Sequence, residues 1–220
     1  MKRREFLRVP AQSIGGMLLY TIGGAPVRLQ AQQGHVRLEL RFFTAAEAQV
    51  VQAACERIIP GDETGPGATE ANVVVYIDRQ LAGPYGRDKY RYTKPPWIES
   101  IPEHGYQGKA NPQQIYRANI PKLGGDFATV PPEERDRRLV AIETTLFFRM
   151  LRQHTIEGMF CDPLHGGNKD LIGWQLIGYP GPRMSYRDDI EKYFDKPFHA
   201  EPRSLEQIVG HKVKGWEDEE

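Results

Sequence analysis

The spacing of apolar side chains along the chain predicts a protein built mainly from α-helices. From residue 50 to residue 58, apolar residues recur at the intervals that place them on one face of a helix. Thr44 and Glu47 form a capping box ahead of this run, in which each side chain satisfies a free backbone N–H of the first turn. The pattern therefore predicts a first helix that begins after Thr44 and ends before Pro60.

Two further apolar patterns predict the second helix and the longest one. The second is expected near residues 69–82, although the run at residues 73–75 is also compatible with a strand. Its buried side would carry Val73, Val74, Ile77 and Leu81. The longest helix is expected after Pro131 and Pro132, with a core-facing stripe that needs no cofactor to explain its methionine and phenylalanine. That stripe consists of Leu139, Ile142, Leu146 and Met150, widened by Phe147 and Leu151.

Short helices are predicted where caps occur without long apolar patterns. Asn111 followed by Pro112 is typical of a helix start, and this helix is expected to run through Ala118. Ser204 and Gln207 form another capping box and predict one more short helix near the end of the chain.

Residues 83–111 and 158–182 are dense in glycine, proline and aromatic side chains, which predicts long loops. A long stretch without regular structure is usually functional or disordered, and the aromatic residues argue against disorder. The expected fold is therefore mainly α, a single helical domain with long irregular loops rich in glycine, proline and aromatic residues.

Charge and composition exclude several classes of protein. The chain has 29 basic and 29 acidic side chains, so it lacks the excess positive charge that is typical of a nucleic-acid binder. Arg87, Lys89, Arg91 and Lys94 alternate with tyrosines, as on surfaces that bind single strands, but we favour a solvated loop face. The sequence carries no dinucleotide-binding glycine motif and no haem-attachment motif, so we expect no redox cofactor held by this chain alone.

The N-terminus predicts an export signal over residues 1–33. Five basic side chains and one acidic side chain lie in this region, which begins basic, continues through a mildly apolar run and ends in small and polar residues. Its opening closely resembles the twin-arginine motif, which the twin-arginine translocase reads when it exports folded proteins. The residues that carry the motif are Arg3, Arg4, Phe6 and Leu7. The alternative interpretation of residues 1–33 is a basic disordered tail. The remaining residues, 34–220, are expected to form the domain.

The densest group of polar side chains offers three interpretations. It consists of His154, Glu157, Asp162, His165, Asn168 and Asp170. His154 and Glu157 are three residues apart and share a helix face, so they could begin a metal site that Asp162 and His165 complete. Asp162 or His165 could instead act in acid–base catalysis. We favour the third interpretation, in which these side chains cap helix ends and fix the loop through backbone amides.

The two cysteines, Cys55 and Cys161, also leave alternatives open. They could pair in an oxidising compartment, or Cys161 could form a disulfide with another subunit. Cys55 lies on the apolar face of the first helix, so we favour a buried free thiol.

The run that starts at His154 resembles the gluconate 2-dehydrogenase subunit 3 family. The resemblance is carried by the segments His154 to Phe160, Asp162 to Asp170, Gly173-Trp174 and Gly178 to Gly181. Upstream, matching stretches begin at Ile58, at Ile77 and at Gly105, in the family's order. The resemblance covers roughly residues 42–182 and leaves residues 183–220 as a C-terminal extension.

The resemblance implies a non-catalytic small subunit. In that family, the small subunit accompanies a large FAD-containing catalytic subunit of the glucose–methanol–choline type, often together with a multihaem cytochrome c. The complex oxidises sugars, sugar acids or polyols in the periplasm, attached to the inner membrane, and the small subunit escorts the flavin subunit during export. FAD and haem c would therefore belong to other subunits, and this chain would carry no cofactor, no metal and no catalytic residue.

Two alternatives and a set of contact residues complete the sequence-based expectations. The chain could be a stand-alone periplasmic enzyme or a sugar-binding protein that uses His154, Glu157, Asp162 and His165. If it is a subunit, its loops are expected to bind the partner, with Trp97, Tyr106 and Trp174 either as anchors or as core residues. The full set of candidate interface residues is Trp97, Tyr106, Gln107, Tyr116, Arg117, Asp162, Gly166, Gly167, Asn168 and Trp174.

Overall fold

A computed structural model describes residues 17–22, 25–30, 40–91, 95–97, 101–198 and 201–215. The chain divides into two units, Met1–Glu39 and Leu40–Glu220. In the first unit, the backbone of β1 (Met17–Ile22) pairs antiparallel with that of β2 (Ala25–Gln30). The twin-arginine motif lies outside the described residues, so the export signal stays a prediction.

The second unit is a single, mainly helical domain, which confirms the predicted fold class. Its described helices are α1 (Ala45–Ile58), α2 (Val73–Ala82), α3 (Pro112–Asn119), α4 (Pro132–Val140), α5 (Leu146–Phe160), α6 (Ile172–Ile177), α7 (Arg187–Tyr193) and α8 (Leu205–Val209). The described part of this unit also contains four short 3-10 helices, at Pro102–His104, Ile120–Leu123, Pro163–His165 and Lys169–Leu171. Over the residues that the structure describes, no helix combines the length and the apolar character needed to cross a membrane.

Local side-chain caps fix where several helices begin. In α1, the backbone N–H of Thr44 donates to the Glu47 carboxylate at 2.8 Å, and that of Glu47 donates to the Thr44 hydroxyl at 3.3 Å. The same reciprocal box is present at Asn111 and Gln114 of α3, and at Ser204 and Gln207 of α8. All three predicted helix starts are confirmed.

Helix α2 begins later than the sequence predicts. Residues 69–72 form turns, and Asn72 has a left-handed backbone with φ of 56°, so the helix starts only at Val73. Residues 73–75 are helical, which settles the helix-or-strand alternative. The predicted buried side of α2 is confirmed, because Val73, Val74, Ile77 and Leu81 are all buried.

The core lies where α2 packs against α1 and α5. Val51, Ala54, Ile77, Leu151 and Met159 fill this contact, and each is almost completely buried. A Cβ added at Gly158 of α5 would lie only 3.0 Å from side-chain carbons of Val73 and Tyr76. The two helices therefore approach closely because position 158 lacks a side chain.

The prediction of one long helix after Pro132 was wrong, because the chain forms two helices there, α4 and α5. Residues 141–145 form a turn between them. Thr145 stabilises the break, since its hydroxyl donates to the Ile142 carbonyl at 2.7 Å and accepts from the backbone N–H of Phe148 at 3.2 Å. The fully buried stripe of α5 consequently runs through Phe147 and Leu151, whereas Leu146 and Met150 are only half-buried.

Candidate functional site

His154 lies at the centre of a buried network of aromatic side chains. The imidazole is 4% exposed, and its Nε2 lies 2.9 Å from the Tyr85 hydroxyl. Its Nδ1 lies 2.8 Å from the hydroxyl of Tyr116, whose ring also stacks on the imidazole. Each ring nitrogen is therefore hydrogen-bonded to a tyrosine hydroxyl. In the neutral imidazole, one nitrogen donates its hydrogen and the other accepts one.

The electrostatics of this network keep its members uncharged near neutral pH. Burial lowers the pKa of His154 to about 4, although the nearby Glu157 carboxylate acts in the opposite direction. Burial, together with the charges of Glu157 and Asp88, raises the pKa of Tyr85 to about 12. Burial also raises the pKa of Tyr116 well above its ordinary value. A general acid or base works best with a pKa near the working pH, and the pKa values of His154, Tyr85 and Tyr116 all lie away from neutrality.

Glu157 lies one turn beyond His154 and is held by two donors. The Tyr76 hydroxyl donates to Oε2 at 3.0 Å, and the Gln153 side-chain amide donates to Oε1 at 2.8 Å. Burial, reinforced by the carboxylate, raises the pKa of Tyr76 above its ordinary value. The predicted shared helix face of His154 and Glu157 is confirmed, but their direct partners are tyrosines and a glutamine.

Asp162 connects the loop after α5 with the C-terminal extension. Its Oδ1 accepts from the backbone N–H of Leu164 at 3.1 Å, and its Oδ2 accepts from that of Leu205 at 2.7 Å. Both oxygens therefore serve backbone amides, as the structural interpretation of this side chain predicts. The second bond links the start of α8, at Leu205, to the loop that follows α5.

Asn168 closes the same loop from inside. Its side chain is fully buried, donates to the Cys161 carbonyl at 2.8 Å and accepts from the backbone N–H of Gly173 at 2.8 Å. Gly167 lets this loop approach α5 closely, because a Cβ there would lie 2.2 Å from the Gly158 carbonyl oxygen. Gly166 has a left-handed φ of 97°. This segment is a fixed structural loop.

Cys55 is a buried free thiol, and Cys161 is half-buried at the end of α5. The buried Cys55 accepts from the Thr155 hydroxyl at 3.3 Å, and burial raises the pKa of its thiol to about 12. The favoured interpretation of Cys55 as a buried free thiol is confirmed. Because its thiolate is strongly disfavoured, Cys55 is unsuited to nucleophilic or redox chemistry.

Two cavities border the exposed side of the α2–α5 contact. One has a volume of about 420 Å³ and is lined by Ile156, Phe160, Cys161, Asp162 and His165, among others. The other has a volume of about 450 Å³ and is lined by Tyr85, Leu146, Met150, Gln153 and His154, among others. Tyr76, Gln80 and Glu157 line both cavities. The described residues include no group of three or more histidine, cysteine, aspartate or glutamate side chains placed to hold a metal ion.

The sequence analysis did not identify Asp78, whose fully buried carboxylate accepts three backbone hydrogen bonds. Its buried carboxylate accepts from the backbone N–H groups of Arg41, Phe42 and Phe43, at 2.6, 3.0 and 2.7 Å. The start of the helical domain is thereby fixed to α2. A signal was present, because Asp78 lies beside Ile77 within the apolar face of α2, where a carboxylate must find strong donors.

The structure divides the candidate interface residues into buried and exposed groups. Tyr116, Gly167, Asn168 and Trp174 are buried within this chain, so they are removed from the candidate interface as a correction. Trp174 is 4% exposed, and its indole N–H donates to the Phe160 carbonyl at 2.7 Å. Its side chain is therefore a core residue and not a surface anchor.

The other candidates lie at or near the surface. Trp97 and Tyr106 are exposed, and Gln107 is half-buried and donates to the His104 carbonyl at 2.7 Å. Arg117 pairs with Glu47, donates to the Phe42 carbonyl at 2.5 Å and covers the Phe42 ring, so it holds the start of the domain. Asp162 and Gly166 are half-buried in the loop after α5.

Arg91 organises the exposed aromatic loop. Its guanidinium lies over both the Trp97 and the Tyr106 rings, 5.1 and 5.3 Å from their centroids. It also donates to Asp88 at 3.0 Å and to the Gly108 carbonyl at 2.7 Å. Arg91 is thus engaged inside its own loop, and Lys94 lies outside the described residues, so the interpretation of the whole basic segment as a solvated loop face stays a prediction.

A second exposed apolar region begins at the end of α6 and continues to Phe198. Its large side chains are Leu176, Ile177, Tyr179, Met184, Tyr186, Ile190, Tyr193, Phe194 and Phe198. Met184 is fully exposed, and Phe194 is 74% exposed. So many neighbouring apolar side chains on one segment are typical of a surface that binds another protein.

Comparisons with known proteins give one result on family membership. No curated protein and no solved structure gives a significant match. The chain does match gluconate 2-dehydrogenase subunit 3 over residues 45–181, which is more than half its length. That match includes α1 to α6 and the loop built around Asp162 and Asn168. The chain therefore belongs to the gluconate 2-dehydrogenase subunit 3 family.

Proposed function

We propose that this chain is the non-catalytic small subunit of a periplasmic, membrane-associated FAD-dependent dehydrogenase that oxidises a sugar, a sugar acid or a polyol. Its partner is a glucose–methanol–choline-type catalytic subunit, with a multihaem cytochrome c as a further subunit. The chain escorts the flavin subunit through twin-arginine export and stabilises it. The observation that carries the proposal is the family match over residues 45–181, because the family name denotes a subunit of a gluconate 2-dehydrogenase-type complex.

The roles of the polar cluster support a non-catalytic subunit. His154 is enclosed by Tyr85 and Tyr116, and both oxygens of Asp162 accept from backbone amides. An acid–base site needs a group that is free to exchange a proton with a substrate near neutral pH. Here the same residue types stabilise helix ends and a loop.

The exposed apolar surfaces support a role in assembly. One surface is the loop that carries Tyr90, Trp97, Ile101 and Tyr106, and the other is the segment from Leu176 to Phe198. Aromatic and methionine side chains are enriched where proteins bind each other, because they bury a large area with few rotatable bonds. A partner subunit that covers these segments would remove that apolar area from water.

The escort role is tested by deletion of the gene and fractionation of the cells. We expect the flavin subunit to remain in the cytoplasm, unassembled, and the membranes to lose dehydrogenase activity with quinone or cytochrome as acceptor. Expression of the chain from a plasmid should restore both. If the deletion strain still exports an active dehydrogenase, the escort role is excluded.

The export route is tested by Arg3→Lys combined with Arg4→Lys. Lysine keeps the charge but lacks the planar, bidentate guanidinium, so a translocase that reads arginine should reject the variant. We expect the chain and its flavin subunit to accumulate in the cytoplasm. Arg28→Lys, in the same N-terminal region but outside the motif, is the matched control and should be exported normally.

A further inference from the structure

Residues 182–202, which the structure describes except at positions 199 and 200, form a loop whose two ends meet. The backbone N–H of Arg203 donates to the Pro180 carbonyl at 3.2 Å. A Cβ added at Gly181 would lie 2.1 Å from the Arg203 carbonyl oxygen, so the two backbone segments are in close contact there. The chain therefore leaves the domain and returns to it at one place. We call residues 182–202 the α7 loop, because they carry helix α7.

One side of α7 is apolar and open to water. Tyr186, Ile190 and Phe194 are four residues apart, so they lie along the same face of the helix. They are 57%, 65% and 74% exposed. Met184, just before the helix, is fully exposed. Apolar side chains gathered on one exposed face are typical of a surface that another molecule covers.

The exposed area of the α7 loop is close to what a stable protein interface requires. Its large apolar side chains are Met184, Tyr186, Ile190, Tyr193, Phe194 and Phe198. With about 200 Å² for a whole large side chain, these six expose roughly 700 Å² in all. Each partner in a stable interface contributes roughly 800 Å². The α7 loop can therefore form most of a specific interface.

The α7 loop lies outside the part of the chain that matches the family. The match covers residues 45–181 and ends immediately before the loop. Membership of a dehydrogenase complex is what the family name denotes, so the residues for that shared role are expected within the match. The exposed aromatic loop with Trp97 and Tyr106 lies within it. These positions favour a different partner for the α7 loop.

The charges of the α7 loop favour a partner that carries the same surface. Residues 182–198 contain four basic and four acidic side chains, so they carry no net charge. Arg183 pairs with Asp189, and Arg187 pairs with Glu191 at 3.2 Å. A lipid surface with anionic headgroups attracts segments that have an excess of basic side chains, which this loop lacks. Equal numbers of both charges suit an interface between two copies, because such an interface must be complementary to itself.

We propose that the α7 loop binds a second copy of this chain, with the two α7 helices antiparallel across a two-fold axis near Ile190. In this arrangement, Tyr186 of each copy lies against Phe194 of the other, and Arg187 lies beside Glu191 of the other. The Arg187 and Glu191 side chains are 83% and 65% exposed, so both are accessible to a second copy. The inference goes beyond the proposed function and leaves the aromatic loop around Trp97 to the catalytic subunit.

The first test measures self-association of the full-length chain by sedimentation equilibrium. We expect twice the monomer mass of 25.1 kDa. Ile190→Glu should weaken self-association at least tenfold, because it places two acidic side chains next to the axis. Its circular dichroism spectrum should match that of the wild type, since the side chain is exposed. Val140→Glu is the matched control, because Val140 of α4 is 61% exposed, and it should change neither measurement.

The second test identifies the occupant by exchanging charges. Arg187→Glu places acidic side chains beside each other across the axis, and Glu191→Arg does the same with basic ones. Each variant alone should therefore self-associate at least tenfold more weakly than the wild type. Mixed together, the two variants should bind each other at least tenfold more tightly than either binds itself. Both variants lack the ion pair within α7, so recovery in the mixture requires contact between copies.

Three results would overturn the inference. The wild-type chain could remain a monomer at high micromolar concentration. The two charge variants could fail to bind each other when mixed. Ile190→Glu could leave self-association unchanged while it abolishes binding to phosphatidylglycerol vesicles or to the flavin subunit, which would give the loop another occupant. None of these results contradicts the proposed function, which rests on residues 45–181.

Discussion

Aromatic side chains in this chain occur in two contrasting settings. Inside the domain, Tyr116 and Trp174 are buried, and their polar atoms are hydrogen-bonded within the chain. In the outer loops, Tyr90, Tyr106 and Phe194 are exposed. Both settings occur within or beside glycine-rich loops, so loop position alone does not distinguish a core aromatic residue from one that binds a partner. The difference lies in how much of each aromatic side chain the rest of the chain covers.

The largest expected effect tests the inner setting at Trp174. We expect Trp174→Ala to lower the free energy of unfolding by about 4 kcal/mol, because it leaves a cavity and frees the Phe160 carbonyl. Denaturant unfolding followed by circular dichroism measures this. A loss of less than about 1 kcal/mol would mean that Trp174 behaves like the exposed aromatic residues, and would contradict the distinction between the two settings.

Removal of the Asp78 carboxylate tests the buried polar part of the inner region. Asp78→Ala leaves three backbone N–H groups without their acceptor, and we expect a loss of about 3 to 4 kcal/mol in the free energy of unfolding. Glu63→Ala, at an exposed acidic residue, should change it by less than about 0.5 kcal/mol. Equal effects of the two substitutions would contradict the structural role of Asp78.

Acid should weaken the inner network through His154. Its pKa is about 4 in the folded chain and about 6.5 when exposed, so the unfolded chain binds more protons between these values. The contribution is fully present above pH 6.5 and is lost as the pH falls toward 4, by about 3 kcal/mol in total. Urea unfolding at pH 7, 5.5 and 4.5 measures it. In His154→Asn, which has no imidazole to protonate, this component of the decline should be missing.

The smallest expected effect on folding concerns the outer setting. Tyr106→Ala should lower the free energy of unfolding by less than about 1 kcal/mol, because the side chain is 41% exposed and its contact with Arg91 lies at the surface. It should weaken association with the flavin subunit by about 2 kcal/mol, or roughly thirtyfold in Kd, if Tyr106 is an anchor. Affinity capture at serial dilutions measures this, and Val140→Ser is the control for an exposed apolar residue elsewhere. Unchanged capture would remove Tyr106 from the interface.

Local signals were sufficient to predict α1, α2, α3 and α8, but α6 lies in a segment that was predicted as a loop, and no helix was predicted at α7. The capping boxes at Thr44, Asn111 and Ser204 depend on residues three positions apart, so the sequence alone determines them. The break between α4 and α5 was missed, because the apolar stripe continues across residues 141–145 while Thr145 starts a new helix there. Periodicity records which residues are apolar but not whether the backbone remains helical between them.

The candidate site shows the same limit at longer range. The structural interpretation of Asp162 could be reached from the sequence, because one of its bonds is to Leu164, two residues away. The partners of His154 could not, since Tyr85 and Tyr116 lie far away in sequence and meet it only after α2, α3 and α5 pack together. The buried side-chain nitrogen of Gln80, in α2, makes no hydrogen bond. The sequence could not predict this either, because it depends on every residue that surrounds the amide.

The central claim is that this chain works as the partner of a flavin subunit, and purification from native membranes tests it most directly. A tagged chain should be recovered with about one FAD per chain and with dehydrogenase activity toward a sugar, a sugar acid or a polyol. The flavin should belong to a second, larger polypeptide and disappear when the two are separated. Recovery of the chain alone, without flavin or dehydrogenase activity, would contradict the account.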